Sequence, residues 1–328
     1  MNVIHRWLLK FKPYFLFIEW TKVLILPGFK PLPLYTVGLF FFKELAKESL
    51  VNKASSLAYN FLLAVFPGII FLFTLIPYIP ITDFQDQLLS LVEMVLPKNA
   101  YLAVQSTLED IIKNQNGKLL SIGFLFAVFF ATNGVHSLML AFNKSSLITE
   151  NRTWLKQRWV AIKLSFILIF ALILSLTIIT FSEYVFGILR REIGLINPGI
   201  WIFLIDVARW LILTGLYLVT ISIIYRYGPA IPKKWKFFSP GAWLATILAI
   251  LTFWGFAYYI NNFGTYNKLY GSIGTLIVMM IWMYINSLII LVGFELNASI
   301  ELSKRSIKIV KPQPQRYRQN LELKNQPK

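Results

Sequence analysis

The sequence predicts an all-α, polytopic membrane protein with six transmembrane helices, interfacial N-terminal helices and a short helical outer cap. Composition is the first observation behind it: 57% of the 328 residues are hydrophobic and 14% charged, and mean hydropathy is +0.63. A soluble chain of this length cannot bury so much apolar surface. The second is segment length, because six stretches approach or exceed the roughly 20 apolar residues that cross a bilayer. The third is a lopsided distribution of Lys and Arg between the connections.

Residues 1–56 read as a cytoplasmic or interfacial arm. The opening "MNVIHRWLLKFKPYFLFIEWTK" has no apolar run long enough for a cleaved signal. "YFLFIEWTKVLIL" is too short and too charged to span, and Pro27, Pro31 and Pro33 end it. "LPLYTVGLFFFKELAKESLVNKASS" starts apolar and becomes amphipathic. One or two helices at the inner interface, with lysines towards anionic headgroups, fit this pattern. A cytoplasmic arm packed on the bundle fits it as well.

Residues 57–297 form the six-helix transmembrane domain. The spans are Leu57–Pro80, Leu119–Phe142, Trp159–Phe181, Ile200–Tyr225, Pro240–Asn262 and Ser272–Asn297. Each must be helical, because hydrocarbon offers no partner to backbone N–H and C=O groups. The outer cap covers residues 81–118. Within it Phe84, Leu88, Leu91 and Val95 recur at helical spacing, as do Leu102, Val104, Leu108 and Ile111 or Ile112. Residues 298–328 form a basic cytoplasmic tail, polar and proline-punctuated at its end, which is expected to be disordered.

Charge sets the orientation. Of the 32 Lys and Arg residues, 24 fall on the side that holds both termini and six on the other, while Lys163 and Arg209 lie within spans. Both termini are therefore expected in the cytoplasm. The net charge of +17 is mostly a cytoplasmic-face charge, suited to anionic lipid headgroups. Nucleic acid, the other common meaning of such a charge, is not needed to explain it. With no cysteine and only His5 and His136, thiolate chemistry is excluded and neither a metal site nor a cofactor is expected. The sequons at Asn143, Asn151 and Asn297 all fall on the inner side, where they have no glycosylation role.

Ionisable groups inside hydrocarbon need a reason. Asp206 and Arg209, three apart on the fourth span, share a helical face; they are either a mutually neutralising pair or the charged lining of an outward cavity. Glu295, near the inner end of the last span in "GFELNASIE", is either a structural anchor or a functional carboxylate. His136, three residues after Asn133, is a hydrogen-bonded structural group or a proton relay. Lys163, one turn into the third span, is expected to snorkel. Pro67 and Gly68 stand near the middle of the first span; they are either a structural proline kink or a break that would free carbonyls for a substrate. Asn60, on the same span, is placed to bond to another helix.

"NNFGTYNKLYGSIG", residues 261–274, is the tightest outer connection. Its glycines suit a tight turn, Ser272 an N-cap and its tyrosines an interfacial belt. Lys268, with Asn267, remains a candidate contact for an anionic headgroup or substrate.

Two stretches resemble the YihY/BrkB family of bacterial inner-membrane proteins. The first is "KASSLAYNFLLAVFPGIIFL". The second is "GPAIPKKWKFFSPGAWLATILAILTFWGFAYYINNFGTYNKLYGSIGTLIVMMIWMYINSLIILVGFELNASIE". The resemblance covers about residues 35 to 301. Where the family's pattern has an arginine before the first signature, Lys53 stands here, which keeps the charge but not a bidentate contact. The resemblance implies six spans with both termini inside a bacterial inner membrane. Its members have been described as transporters or virulence-linked proteins and once carried a ribonuclease BN label. Nuclease chemistry is not expected, because the His and carboxylate cluster for metal-assisted cleavage is missing from the sequence. Transport or handling of a lipid or other amphiphile is the leading expectation. A non-transporting membrane organiser that binds partners through arm and tail is the alternative, and an intramembrane enzyme is third for want of a nucleophile–base pair.

Overall fold

The computed structural model describes residues 12–47, 50–78, 84–95, 98–144, 150–192, 198–231, 235–262 and 272–310. Among these residues there are ten α-helices and no strand. The arm supplies α1 (Lys12–Val23) and α2 (Leu34–Lys47). The spans are carried by α3 (Leu50–Leu75), α6 (Gly117–Asn143), α7 (Trp154–Glu192), α8 (Pro198–Tyr227), α9 (Pro240–Asn262) and α10 (Ser272–Val310), with cap helices α4 (Phe84–Val95) and α5 (Lys98–Lys113) between α3 and α6. Six of the described helices are long and apolar enough to cross a membrane.

The six long helices close into a ring. Going round it, α3 packs on α6, α6 on α7, α7 on α8, α8 on α9, α9 on α10 and α10 back on α3. The cap sits at one end, where Ile76, Leu89 and Ile112 form a small buried cluster. The arm docks at the other end. We refer to these as the cap face and the arm face.

Packing is unequal along the ring. The main core gathers Leu57 from the start of α3, Phe142 from the end of α6, Tyr225 from the end of α8, Ala242 from the start of α9 and Phe294 from the second half of α10. All of these lie towards the arm face. Phe142 stacks on Phe294 across the ring at 4.2 Å, and Tyr225 meets Phe142 edge-on at 5.8 Å. Towards the cap face the large side chains turn outwards, among them Leu72, Phe126, Phe181 and Phe203. That is the pattern of helices whose outer surface meets lipid.

The helices start where side chains satisfy their free N–H groups. Asn116 accepts a hydrogen bond from Leu119 N at the start of α6 (3.0 Å). Ser239 Oγ accepts from Ala242 N at the start of α9 (3.3 Å).

Three expectations are corrected. First, α3 runs unbroken through Pro67 and Gly68. A proline withdraws one N–H, and a long helix packed on both sides absorbs that loss without opening. Second, the last helix does not stop at Asn297 but continues to Val310. Ser299, Ile300 and Ser303 are buried there, because the arm covers them. Third, Asn60 donates to Ser56 O within its own helix (2.8 Å) rather than to a neighbour.

The segment around residues 29–37 of the arm packs on the bundle. Phe29, Leu32, Val37 and Ile300 form one buried cluster. Gly28 turns the chain with φ +90° and lies so close to Pro240 that a Cβ there would approach its ring to 2.7 Å. Only glycine meets both demands. The outer side of α1 still presents Phe15, Leu16, Phe17 and Trp20 to the surroundings.

Candidate functional site

The arm-face end of the ring holds most of the polar groups. Its centre is the crossing of α9 and α10. Gly241 and Gly293 face each other so closely that a Cβ on Gly241 would stand 2.0 Å from Gly293 O. This contact lets Asn297 reach the start of α9: its Oδ1 accepts from Gly241 N (2.8 Å), and its Nδ2 donates to Ser239 Oγ (2.8 Å). Tyr225 donates to Ile290 O (2.6 Å). The "SPG" of α9 and the "GFELN" of α10 are thus two halves of one joint.

Glu295 lies within this joint, between Gly293 and Asn297, and is buried. Its charge acts on Lys53 of α3, as do the charges of Lys144 and of Glu44, which is buried on α2. The arm therefore brings a second carboxylate to the same lysine. Sequence reasoning identified Glu295 and Lys53 separately, and missed Glu44.

A second network ties the α6–α7 connection to the end of α8. Asn143 Nδ2 donates to Glu150 Oε2, and its Oδ1 accepts from Ala230 N (2.9 Å). Arg152 donates through Nε to Glu150 Oε1 (2.9 Å) and through Nη2 to Glu150 Oε2 (2.8 Å). The same Nη2 also reaches Gly228 O (2.9 Å). Burial pushes the Glu150 carboxyl up, but the Arg152 hydrogen bonds outweigh this and hold it below the usual glutamate range. The asparagines of two sequons, Asn143 and Asn297, are thus committed to internal bonds.

His136 and Asn133 do not act as a pair. Asn133 Oδ1 accepts from Arg158 Nη1 of α7 (2.7 Å), while the buried His136 Nδ1 has no hydrogen-bond partner among the described residues. Asp206 and Arg209 do pair, at 2.7 Å within α8, and Arg209 also donates to Ser182 of α7 at 3.4 Å. They stand towards the cap-face end of α8, away from Glu295, so the structure divides the sequence-predicted candidates between two ends of the ring. Asn267 and Lys268 lie outside the described residues. Among the described residues no group of three or more His, Cys, Asp or Glu gathers as a metal site.

One apolar cleft opens sideways between α3 and α10. Its volume is about 250 Å3, and Ala58, Tyr59, Leu62, Met280, Ile281 and Tyr284 line it together with Ser55. These residues belong to two of the helices long and apolar enough to cross a membrane. Ala58, Leu62 and Ser55 share one helical face by their spacing, but nothing in the sequence showed that a cleft opens beside it.

Over residues 41–318 the chain matches the family described as virulence factor BrkB. It is 31% identical over 254 residues to YfkH of Bacillus subtilis (strain 168), a protein named as ribonuclease-like, covering 77% of this chain and 91% of that one. It is 27% identical over 267 residues to a UPF0761 membrane protein of Stenotrophomonas maltophilia (strain R551-3), covering 80% of this chain and 60% of the relative. A UPF0761 membrane protein of Xanthomonas campestris pv. campestris (strain B100) is 26% identical over 268 residues, with the same two coverages. The chain thus spans about 60% of the length of these UPF0761 relatives. No solved structure matches the chain.

Proposed function

The chain belongs to the BrkB family of integral membrane proteins, and on that premise we propose that it binds and moves a membrane amphiphile. The observation that carries this reading is the lateral cleft between α3 and α10. It is apolar, with Ser55, Tyr59 and Tyr284 among its lining residues, and it stands beside the arm-face core. An acyl chain entering from the bilayer meets apolar walls there. In this reading the arm face is cytoplasmic in a bacterial inner membrane, since it carries the excess of Lys and Arg.

Catalysis is not part of the proposal. The donor set for metal-assisted phosphodiester cleavage is not gathered among the described residues, so the ribonuclease-like name of the relative is not carried over.

The test is movement of a fluorescent phosphatidylglycerol between leaflets of proteoliposomes containing the full chain. Wild-type protein is expected to speed it above protein-free vesicles. Met280→Trp, which fills the cleft from a half-exposed position (46%), is expected to return it to the protein-free rate with an unchanged unfolding midpoint. A wild-type rate equal to that of protein-free vesicles would sink the proposal. It would favour the membrane organiser, for which the exposed apolar row Phe15, Leu16, Phe17 and Trp20 on the arm speaks.

The same assay tests the carboxylates. Glu295→Gln and Asp206→Asn are each expected to slow movement while folded yield is kept. Full activity in both variants removes these residues from the mechanism and leaves them as structural groups.

A further inference from the structure

On the side of the ring opposite the α3–α10 cleft, α7 and α8 enclose a larger cavity at the arm face. Its volume is about 700 Å3. Among the described residues three cations line it, Arg152, Lys163 and Arg226, and no Asp or Glu does. Its apolar wall includes Val160, Leu164 and Ile167 of α7.

The three cations differ in what already holds them. Arg152 is committed to Glu150 and Gly228 O. Lys163 has no carboxylate partner among the described residues. Arg226 donates through Nη1 to Trp235 O at 3.3 Å and lies over the Tyr227 ring, 5.9 Å from its centroid, while its buried Nε has no hydrogen-bond partner among the described residues. Two positive charges therefore face a largely apolar recess with no carboxylate partner among the described residues, an arrangement that an anion would complete.

Depth and shape restrict what that anion is. Lys163 stands roughly 13 Å along α7 from Trp154, at 1.5 Å per residue, inside the span but near its arm-face end. Leu164 and Ile167 continue the apolar wall from there further into the span. A fully hydrated anion would gain nothing from that wall. A molecule with a phosphate at one end and acyl chains at the other matches both parts. Arginine's planar fork suits two phosphate oxygens, and the lysine ammonium adds a point charge.

We propose that this cavity binds the phosphate-bearing headgroup of a membrane lipid. The site is separate from the α3–α10 cleft and does not depend on movement across the bilayer.

Native mass spectrometry of the full chain released from detergent micelles tests it, with dioleoylphosphatidylglycerol, dioleoylphosphatidylcholine and inorganic phosphate as separate probes. Wild-type protein is expected to retain phosphatidylglycerol more strongly than phosphatidylcholine. Lys163→Gln removes one charge-assisted hydrogen bond and is expected to weaken that retention about tenfold. Arg226→Gln added to it should weaken it further. Lys156→Gln, an exposed cation on the same helix outside the cavity, should leave it unchanged. If inorganic phosphate binds with the same dependence on Lys163 and displaces the lipid, the anion chemistry stands and free phosphate is its source. Equal retention of phosphatidylglycerol in wild type and Lys163→Gln overturns the proposal, as does an equal loss in Lys156→Gln. Lys163 is exposed on α7, so its variant stays informative even if the Arg226 variant fails to fold.

Discussion

Gly241→Ala is expected to unfold the α9–α10 joint, although it adds a single methyl group. The new Cβ would stand 2.0 Å from Gly293 O and 2.7 Å from the Asn297 side chain. Overpacking a core costs about 1–3 kcal/mol, occasionally more, and yields to the lower figure when a flexible side chain can move aside. Here the obstacle is a carbonyl of the facing backbone, so the two helices must part. Parting them breaks the Asn297 bond to Gly241 N and disturbs the neighbouring contact of Tyr225 Oη, which would lie 2.5 Å from a Cβ on Gly293. The cost should reach or exceed about 3 kcal/mol, seen as a lower unfolding midpoint in detergent and a poor folded yield. Gly255→Ala, further along the same helix, is the control, because its Cβ meets nothing within 4 Å. Equal midpoints for the two variants would show that the crossing is not the tight contact described here.

Much of the architecture was legible because hydrocarbon imposes it. A span needs length and apolarity, and both are local properties, so the six helices could be read from "FLLAVFPGIIFLFTLIP" and its counterparts. The cap helices were legible for the same reason, through the spacing of Phe84, Leu88 and Leu91. Helix ends were less so. Hydropathy falls after Asn297, yet α10 continues because Phe29, Leu32 and Val37 cover Ile300. No window around Ile300 contains those residues. Pro67 misled in the opposite direction: a local helix-breaking signal was overridden by packing on α6 and α10.

The same distinction governs the polar sites. Asp206–Arg209 is an i,i+3 pair, visible to anyone counting along a helix, and it forms at 2.7 Å. Glu295 stood out as a carboxylate in an apolar run, but the residues that act with it, Lys53 and Glu44, are far away in the chain on α3 and α2. The cavity between α7 and α8 was invisible for a further reason. Arg152, Lys163 and Arg226 each look ordinary at the end of a span, where lysine and arginine are expected on topological grounds alone. Only their convergence on one cavity, where Glu150 pairs with Arg152 alone, marks them out.

Glu150→Ala is expected to be nearly as damaging as Gly241→Ala, and its effect should depend on pH. Glu150 and Arg152 are about four-fifths buried, at 20% and 19% exposure. Removing the carboxylate leaves the guanidinium with only Gly228 O and leaves Asn143 Nδ2 without its acceptor. Breaking a buried ion pair in this way costs about 3–5 kcal/mol, and the residual exposure brings the expectation to about 2–4 kcal/mol. Because the folded carboxyl is held below its ordinary value, the unfolded chain takes up the proton first as pH falls. The stabilisation is therefore fully present above the ordinary glutamate value of about 4.3 and disappears as pH drops below it, through the folded value. Other carboxylates titrate in the same window, so one acid curve cannot isolate this group. The difference between two proteins does: Glu150→Gln keeps the shape and removes the titration. Unfolding midpoints of wild type and Glu150→Gln, followed from neutral pH into the acid range, should lie furthest apart at neutral pH and converge on acidification. Parallel curves would mean that the Glu150–Arg152 link contributes nothing through its charge, and that Asn143 and Gly228 alone hold this corner of the ring.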